Sequence, residues 1–175
     1  MQLTDEELVD KIRKEDKELF SDLVKRYEDK LMQYAVFLIH DEQKAMDVVQ
    51  DSFIKSYKNL NGFYTNKKFS SWIFRIVHNE AMNKINKYKK EFPIRDDLNY
   101  ESKEDLEENF SKKEIMEMAH ECLDKIPVIY KEPLVLSYFE EKSYGEVSEI
   151  LRIPMGTVSI RIKRAKELMK KICQK

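Results

Sequence analysis

The sequence predicts an all-α protein of two small helical domains joined by an acidic linker, the second domain containing a helix-turn-helix. Three observations carry this expectation. Glycine and proline are scarce, three and four in 175 residues, where a sheet would need turn residues at short intervals. Apolar residues recur at spacings of three and four, the period of a helix with one buried face. The charges sum to only −1 but are unevenly distributed. From Lys67 to Lys90 seven cations face Glu80 alone. From Pro93 to Ser111 seven acids face only Arg95 and Lys103, with no helical stripe. From Arg152 to Lys175 eight cations face Glu167 alone. The predicted domains are therefore residues 1–92 and 112–175, with residues 93–111 as the linker.

The elements follow in order. The clearest helix of the first domain carries Phe20, Leu23, Tyr27, Leu31, Tyr34 and Leu38 on one face. After His40, Asp41 has the side chain of an N-cap for a second long helix, whose buried stripe is expected to be Ala45, Val48, Val49, Phe53 and Tyr57. Asn59 to Lys68 contains Asn61 and Gly62 and reads as a loop. Ser70 or Ser71 is then expected to cap a third helix through Trp72, Ile73, Ile76 and Val77. Pro93 closes the domain. In the second domain, Ser111 to Glu114 forms a capping box ahead of Ile115, Met118, Cys122 and Leu123, and Pro127 ends that helix. A helix from about Val128 to Phe139 accommodates Pro133 only if that residue lies in the first turn. A second capping box, Ser143 to Glu146, starts a helix through Val147, Ile150 and Leu151. Arg152, Ile153 and Pro154 break the pattern, and the last helix begins near Met155.

A short capped helix, a three-residue break and a basic helix have the spacing of a helix-turn-helix, in which the second helix enters the DNA major groove. On that last helix Val158, Ile162, Ala165 and Met169 share one face. The opposite face carries Gly156, Ile160, Lys163 and Arg164, flanked by Ser159 and Arg161. An isoleucine centred on a polar face suits contact with a thymine methyl, while Lys163 and Arg164 suit base edges or phosphates. Thr157 and the N–H groups at the helix start suit a phosphate. The same spacing also describes a basic surface helix that merely ends a bundle. The loop Asn59 to Lys68, followed by Phe69, Trp72 and a basic helix, suggests a second nucleic-acid surface, although Trp72 lies four residues from Ile76 and also fits a core position. Asn79 and Asn83 lie four apart and can offer amides to bases. Asp47, Gln50 and Asp51 lie away from the apolar stripe on a face that suits a protein partner or solvent alike.

Other classes find no support. His40, His78 and His120 are scattered, no glycine-rich phosphate loop occurs, and the carboxylates lie on polar faces. No enzyme activity, cofactor or metal site is expected. Cys122 and Cys173 stand far apart without a CxxC partner and are expected to be reduced thiols. No apolar run approaches a membrane span and the first ten residues are acidic, so a cytoplasmic protein without direct membrane insertion is expected.

The residues resemble a known family, the extracytoplasmic-function (ECF) sigma factors, the small two-domain promoter-recognition subunits of bacterial RNA polymerase. AMDVVQDSFIKSYKNLNGF (Ala45 to Phe63) with KFSSWIFRIVHNEAMNKI (Lys68 to Ile85) is similar to the family's second region. YKEPLVLSYFEEKSYGEVSEILRIPMGTVSIRIKRA (Tyr130 to Ala165) is similar to its fourth. The resemblance implies a sigma factor that directs core polymerase to promoters and helps melt the duplex. It implies that Asp47, Val48, Gln50, Asp51 and Phe53 dock on the clamp helices of the polymerase largest subunit. Asn61, Gly62, Phe63, Lys68, Trp72, Arg75, Asn79 and Asn83 would open and read the minus-ten element and capture a flipped base. Gly156, Thr157, Ser159, Ile160, Arg161, Lys163 and Arg164 would read the minus-thirty-five element. It also implies an anti-sigma partner, often one anchored in the membrane. The family usually has a basic residue where Ser159 stands and a small polar one where Ile160 stands, so the upstream element is expected to differ from the common one. A stand-alone dimeric helix-turn-helix regulator is the rival reading, and it leaves the first domain's motifs unexplained.

Overall fold

A computed structural model describes residues 3–14, 16–91 and 121–173, and every regular element among them is an α-helix or a 3-10 turn. The chain divides into two compact units, one built from the helices up to Glu91 and the other mainly from those after residue 120. The acidic stretch 93–111 and the expected capping box at Ser111 to Glu114, with Ile115 and Met118, lie outside the described residues.

In the first unit, α1 (Asp5–Lys14) opens with a capping box in which Thr4 Oγ1 accepts from the Glu7 N–H at 3.2 Å and Glu7 accepts from the Thr4 N–H at 2.8 Å. Leu8, Val9 and Ile12 are its buried side. After a 3-10 turn (Lys17–Leu19), α2 (Phe20–Ile39) buries Leu23, Tyr27, Leu31, Tyr34 and Leu38, the stripe read from the sequence. Burial and the hydrogen bond from Tyr27 to Asp5 push the Tyr27 phenol's pKa up. His40, in the left-handed region at φ 56°, ends α2. Asp41 caps α3 (Glu42–Lys58) as expected, accepting from the Lys44 N–H at 3.0 Å. The α3 core face differs from expectation. Ala45, Val48 and Val49 are buried, but the stripe continues through Ser52 and Ser56, while Phe53 is half-buried and Tyr57 is exposed. The two serines tolerate burial because each hydroxyl donates back to its own helix, Ser52 to the Val48 carbonyl and Ser56 to the Phe53 carbonyl. Phe53 and Tyr57 pack at the rim, edge-on to Phe20.

The helix α4 (Phe69–Glu91) buries Phe69, Ile73, Phe74, Val77 and Ala81 against α2 and α3. It begins ahead of Ser70 and Ser71, so neither is the cap. Glu6 of α1 takes that role from 63 residues away, its Oε1 accepting from the Phe69 N–H at 2.9 Å.

In the second unit, helical residues 121–124 are followed by α5 (Val128–Tyr138), α6 (Tyr144–Leu151) and α7 (Met155–Cys173). The core is formed by Cys122, Leu123, Ile126, Leu134, Val135, Leu136, Val147, Ile150, Val158, Ile162 and Ala165, with α5 packed on α7. Pro133 is the sixth residue of α5 and so lies beyond the first turn expected for it. Lacking an N–H, it leaves the Ile129 carbonyl without its helical donor, a cost that burial of Leu134, Val135 and Leu136 offsets. The capping box at α6 forms as expected: Ser143 Oγ accepts from the Glu146 N–H at 3.3 Å, and Glu146 accepts from the Ser143 N–H at 2.9 Å. Arg152 then turns the chain in the left-handed region at φ 53°, and the Ser148 hydroxyl donates to the Ile153 carbonyl at 2.6 Å. Cys122 and Cys173, far apart in the sequence, are neighbours in the fold. The packing of the second unit carries the end of α7 beside Cys122, and the Cα atoms lie 6.1 Å apart, within the span that a disulfide bridges.

Candidate nucleic-acid interface

The second unit presents α7 as a two-sided helix. Val158, Ile162 and Ala165 are buried, and Met169 is only half-buried near the thinly packed end. On the other side Gly156, Ser159, Ile160, Lys163 and Arg164 are exposed, with Thr157 and Arg161 half-buried at the margins. Ile160 is 70% exposed at the centre of this face. Arg164 has an ion pair with Glu167 at 3.2 Å, half-exposed and therefore weak enough to yield to a phosphate. A β-carbon placed at Gly156 would meet nothing within 4 Å, so the first turn of α7 is open to an approaching backbone. Lys166 turns away from this face. It bonds the Tyr138 hydroxyl with its ammonium 4.6 Å from the ring centroid, and that bond raises its pKa. Met155 is exposed in the same first turn, off the buried stripe that begins at Val158.

In the first unit the segment after α3 is a 3-10 turn (Leu60–Gly62) leading to Phe63, and two apolar side chains pin it. Leu60 is buried. Phe63, 4% exposed, packs edge-on against Phe69 at 5.7 Å and tilted against Trp72 at 5.1 Å between ring centroids. Phe63 therefore supports the loop from beneath and is not available to a base, contrary to its expected role. Asn61, Gly62 and Lys68 are exposed. So is Tyr64, at 77%, an aromatic ring beside the predicted residues that the sequence reading did not single out. Trp72 is half-buried. One part packs on Phe63 and Phe69, which reconciles the core and surface readings of this residue. From Trp72 the helix carries Arg75, Asn79 and Asn83 at spacings of three, four and four, which keeps them on one face, and both asparagines are exposed.

The third surface is the outer side of α3. Asp47, Gln50 and Asp51 are exposed and Phe53 is half-buried at its edge. Val48 is 2% exposed and belongs to the core, since it lies on the buried stripe with Ala45 and Val49, so it cannot touch a partner directly. Ile54, 52% exposed and seven residues after Asp47, completes this face and was missed; its signal in the sequence was the same as that of Ile160, an isoleucine among polar neighbours. Lys84 of α4 reaches Asp47 at 3.3 Å. Among the described residues no group of three His, Cys, Asp or Glu side chains is placed to hold a metal ion, and no helix is long and apolar enough to cross a membrane.

Two family models match the chain, Sigma-70 region 2 over residues 23–91 and Sigma-70, region 4 over residues 116–169. It is 30% identical to the ECF RNA polymerase sigma factor SigW of Bacillus subtilis, over 98% of this chain and 97% of that protein. It is 32% identical to the RNA polymerase sigma-H factor of Pseudomonas aeruginosa, over 97% and 94%. The chain belongs to the ECF sigma factors. Its fold agrees with that of CnrH solved with the cytosolic domain of CnrY (TM-score 0.74, 23% identity, 97% of each chain). It agrees also with that of the sigma factor RpoE solved with the anti-sigma factor NepR from Bartonella quintana (TM-score 0.72, 21% identity, 89% of this chain and 96% of that one). As an ECF sigma factor, the protein directs RNA polymerase to promoters and is not an enzyme. The loop, the α4 face and the α3 face all fall in the segment matched to region 2, and the helix-turn-helix falls in that matched to region 4.

Proposed function

We propose a division of labour among these three faces. The exposed α3 residues Asp47, Gln50, Asp51 and Ile54, with Phe53 at the rim, dock on the clamp helices of the polymerase largest subunit. Val48 shapes that face from below. The loop bearing Asn61, Gly62, Tyr64 and Lys68, together with Trp72, Arg75, Asn79 and Asn83 of α4, opens and reads the minus-ten element, and Phe63 holds the loop. The α7 face formed by Gly156, Thr157, Ser159, Ile160, Arg161, Lys163 and Arg164 reads the minus-thirty-five element in the major groove. The domains run over residues 1–92 and 112–175 with residues 93–111 as a tether, and the protein acts in the cytoplasm beside the polymerase. The single observation that carries this reading is Ile160, a 70% exposed isoleucine centred between cations on the second helix of a helix-turn-helix. A thymine methyl gives that side chain an apolar partner that solvent does not.

The structural relatives were solved bound to CnrY and to the anti-sigma factor NepR. These complexes support a protein partner of the same kind for this chain, one that holds it off the polymerase until released. The test of the central reading mixes the chain with sigma-free core polymerase and a promoter library and sequences the transcripts. Start sites sharing two spaced upstream motifs, with the upstream motif altered by substitution at Ile160, are expected. Transcripts without a shared upstream motif would overturn the assignment of α7.

A further inference from the structure

The loop assigned above to promoter opening has little internal support, and its shape is held from elsewhere. Within it, Gly62 N–H donates to the Asn59 carbonyl, Phe63 N–H to the Leu60 carbonyl and Lys67 N–H to the Tyr64 carbonyl, local turns that do not tie its backbone to the rest of the unit. Burial of Leu60 and Phe63 anchors its side chains, and its backbone is tied from α1, which lies outside the residues matched to Sigma-70 region 2. Arg13 Nε donates to the Leu60 carbonyl at 3.0 Å, and its Nη2 donates to the carbonyls of both Leu60 and Phe63. The planar guanidinium thus spans the two ends of the 3-10 turn with donors in a fixed fork, a geometry a lysine cannot reproduce. Asp10, one turn earlier on α1, pairs with Arg13 at 3.6 Å. At the far end of the loop, Glu6 accepts from the Phe69 N–H at 2.9 Å, where α4 begins. Glu6 and Arg13 are seven residues apart on one helix, so they share a face, and burial of Leu8, Val9 and Ile12 fixes that face against the unit.

We propose that α1 is a splint for the promoter-opening loop, with Arg13 and Glu6 as positioning residues that preform it before DNA arrives. This rests on the loop's assignment to promoter opening. A loop held at entry and exit does not have to be ordered on DNA when the duplex is opened, and the conformational entropy of fixing residues 59–68 has already been lost on folding. Neither side chain need touch DNA.

The experiment uses the full chain with core polymerase and compares wild type, Arg13→Gln, Arg13→Lys and Glu6→Gln. Promoter opening is followed by 2-aminopurine fluorescence in the minus-ten element, on an intact duplex and on the same promoter with that element already unpaired. Arg13→Gln is expected to slow opening of the intact duplex by about tenfold to a hundredfold, the scale of losing hydrogen bonds from a charged donor. Arg13→Lys, keeping the charge but able to serve fewer carbonyls, is expected to recover part of the rate, and Glu6→Gln to lose less than Arg13→Gln. Transcription from the pre-opened template and polymerase affinity are expected to stay within about twofold of wild type, a margin of roughly RT ln 2. Equal losses on the two templates would make Arg13 a residue of general stability and overturn the splint, as would wild-type opening by Arg13→Gln. Failure of the wild-type chain to open the duplex would instead remove the loop's own assignment.

Discussion

Arg164 and Asn79 differ in what their loss should do, because one is an exposed cation on the helix proposed to enter the groove and the other an uncharged amide on an exposed face. Arg164→Ala is expected to weaken holoenzyme binding to promoters carrying the upstream element by about 1–3 kcal/mol, and to relax base preference there if the guanidinium reads a base edge. Competition between duplexes with and without that element measures it. Asn79→Ala is expected to leave duplex affinity unchanged and to slow melting, which the fluorescence of an unstacked base reports directly. An equal effect of both substitutions on all DNA sequences would defeat these roles. At this scale the sequence was most informative where a residue broke its local pattern, as Ile160 does. It misled at Val48 and Phe63. Both sit beside exposed neighbours in the motif, yet burial is decided by the direction of each side chain within the turn, 100° from the next, and for Phe63 by packing against Phe69 and Trp72 that forms only after folding.

Helix starts separate what is local from what is not. The α6 start is written within four residues, Ser143 to Glu146, and both reciprocal bonds form. Ser143→Ala is expected to destabilise the second unit by about 1 kcal/mol, as N-cap truncations do. The helix α7, proposed to read the upstream element, is carried on that unit, so upstream-element binding should weaken under conditions where the unit is marginally folded, while promoter opening from a minus-ten element alone is retained. Denaturant melts of the full chain, together with the two binding measurements, check this; unchanged stability would show that the cap contributes nothing. The α4 start could not be read in the same way, since its cap, Glu6, comes from α1, and no window of adjacent residues contains both partners. Asp41 belongs to the local class and adds a pH dependence. Hydrogen bonds from the Lys44 side chain and then from its N–H hold the Asp41 carboxyl below its ordinary pKa. A group depressed in the folded state stabilises above its unfolded pKa, and that contribution is lost as pH falls through the folded value. Asp41→Asn is expected to lower stability slightly at neutral pH, by what the ionised carboxyl contributes there, and so to flatten the acid limb of the stability profile below about pH 4, near the unfolded carboxyl pKa. An acid limb of wild-type steepness would count against it.

Over the whole molecule, alternating charge blocks and the two motif sets announced two helical units and their order. The proximity of Cys122 and Cys173 was not legible, because 51 residues separate them and only the folding of the second unit carries the end of α7 back to the residues before α5. Charge at this scale also sets how the protein meets DNA. Exposed or half-exposed cations cluster on the two assigned DNA faces, Lys68 and Arg75 in the first unit and Arg161, Lys163 and Arg164 in the second, while the overall charge is −1. Attraction must therefore be local to those faces, with the remaining surface repelling phosphate, so contacts are few and each counts. If about five phosphates are neutralised, the logarithm of affinity should fall with the logarithm of salt with a slope of about −4.5, a loss of roughly 500-fold between 50 and 200 mM salt. Lys163→Ala should lower that slope by about 0.9 in magnitude if Lys163 lies on a phosphate, and weaken all sequences alike. If Lys163 instead reads a base, the slope should stay near the wild-type value and the loss should appear only on the preferred upstream element. A salt titration of the holoenzyme on two duplexes, with and without that element, separates the cases. A wild-type slope near zero would mean that the basic faces do not carry the binding.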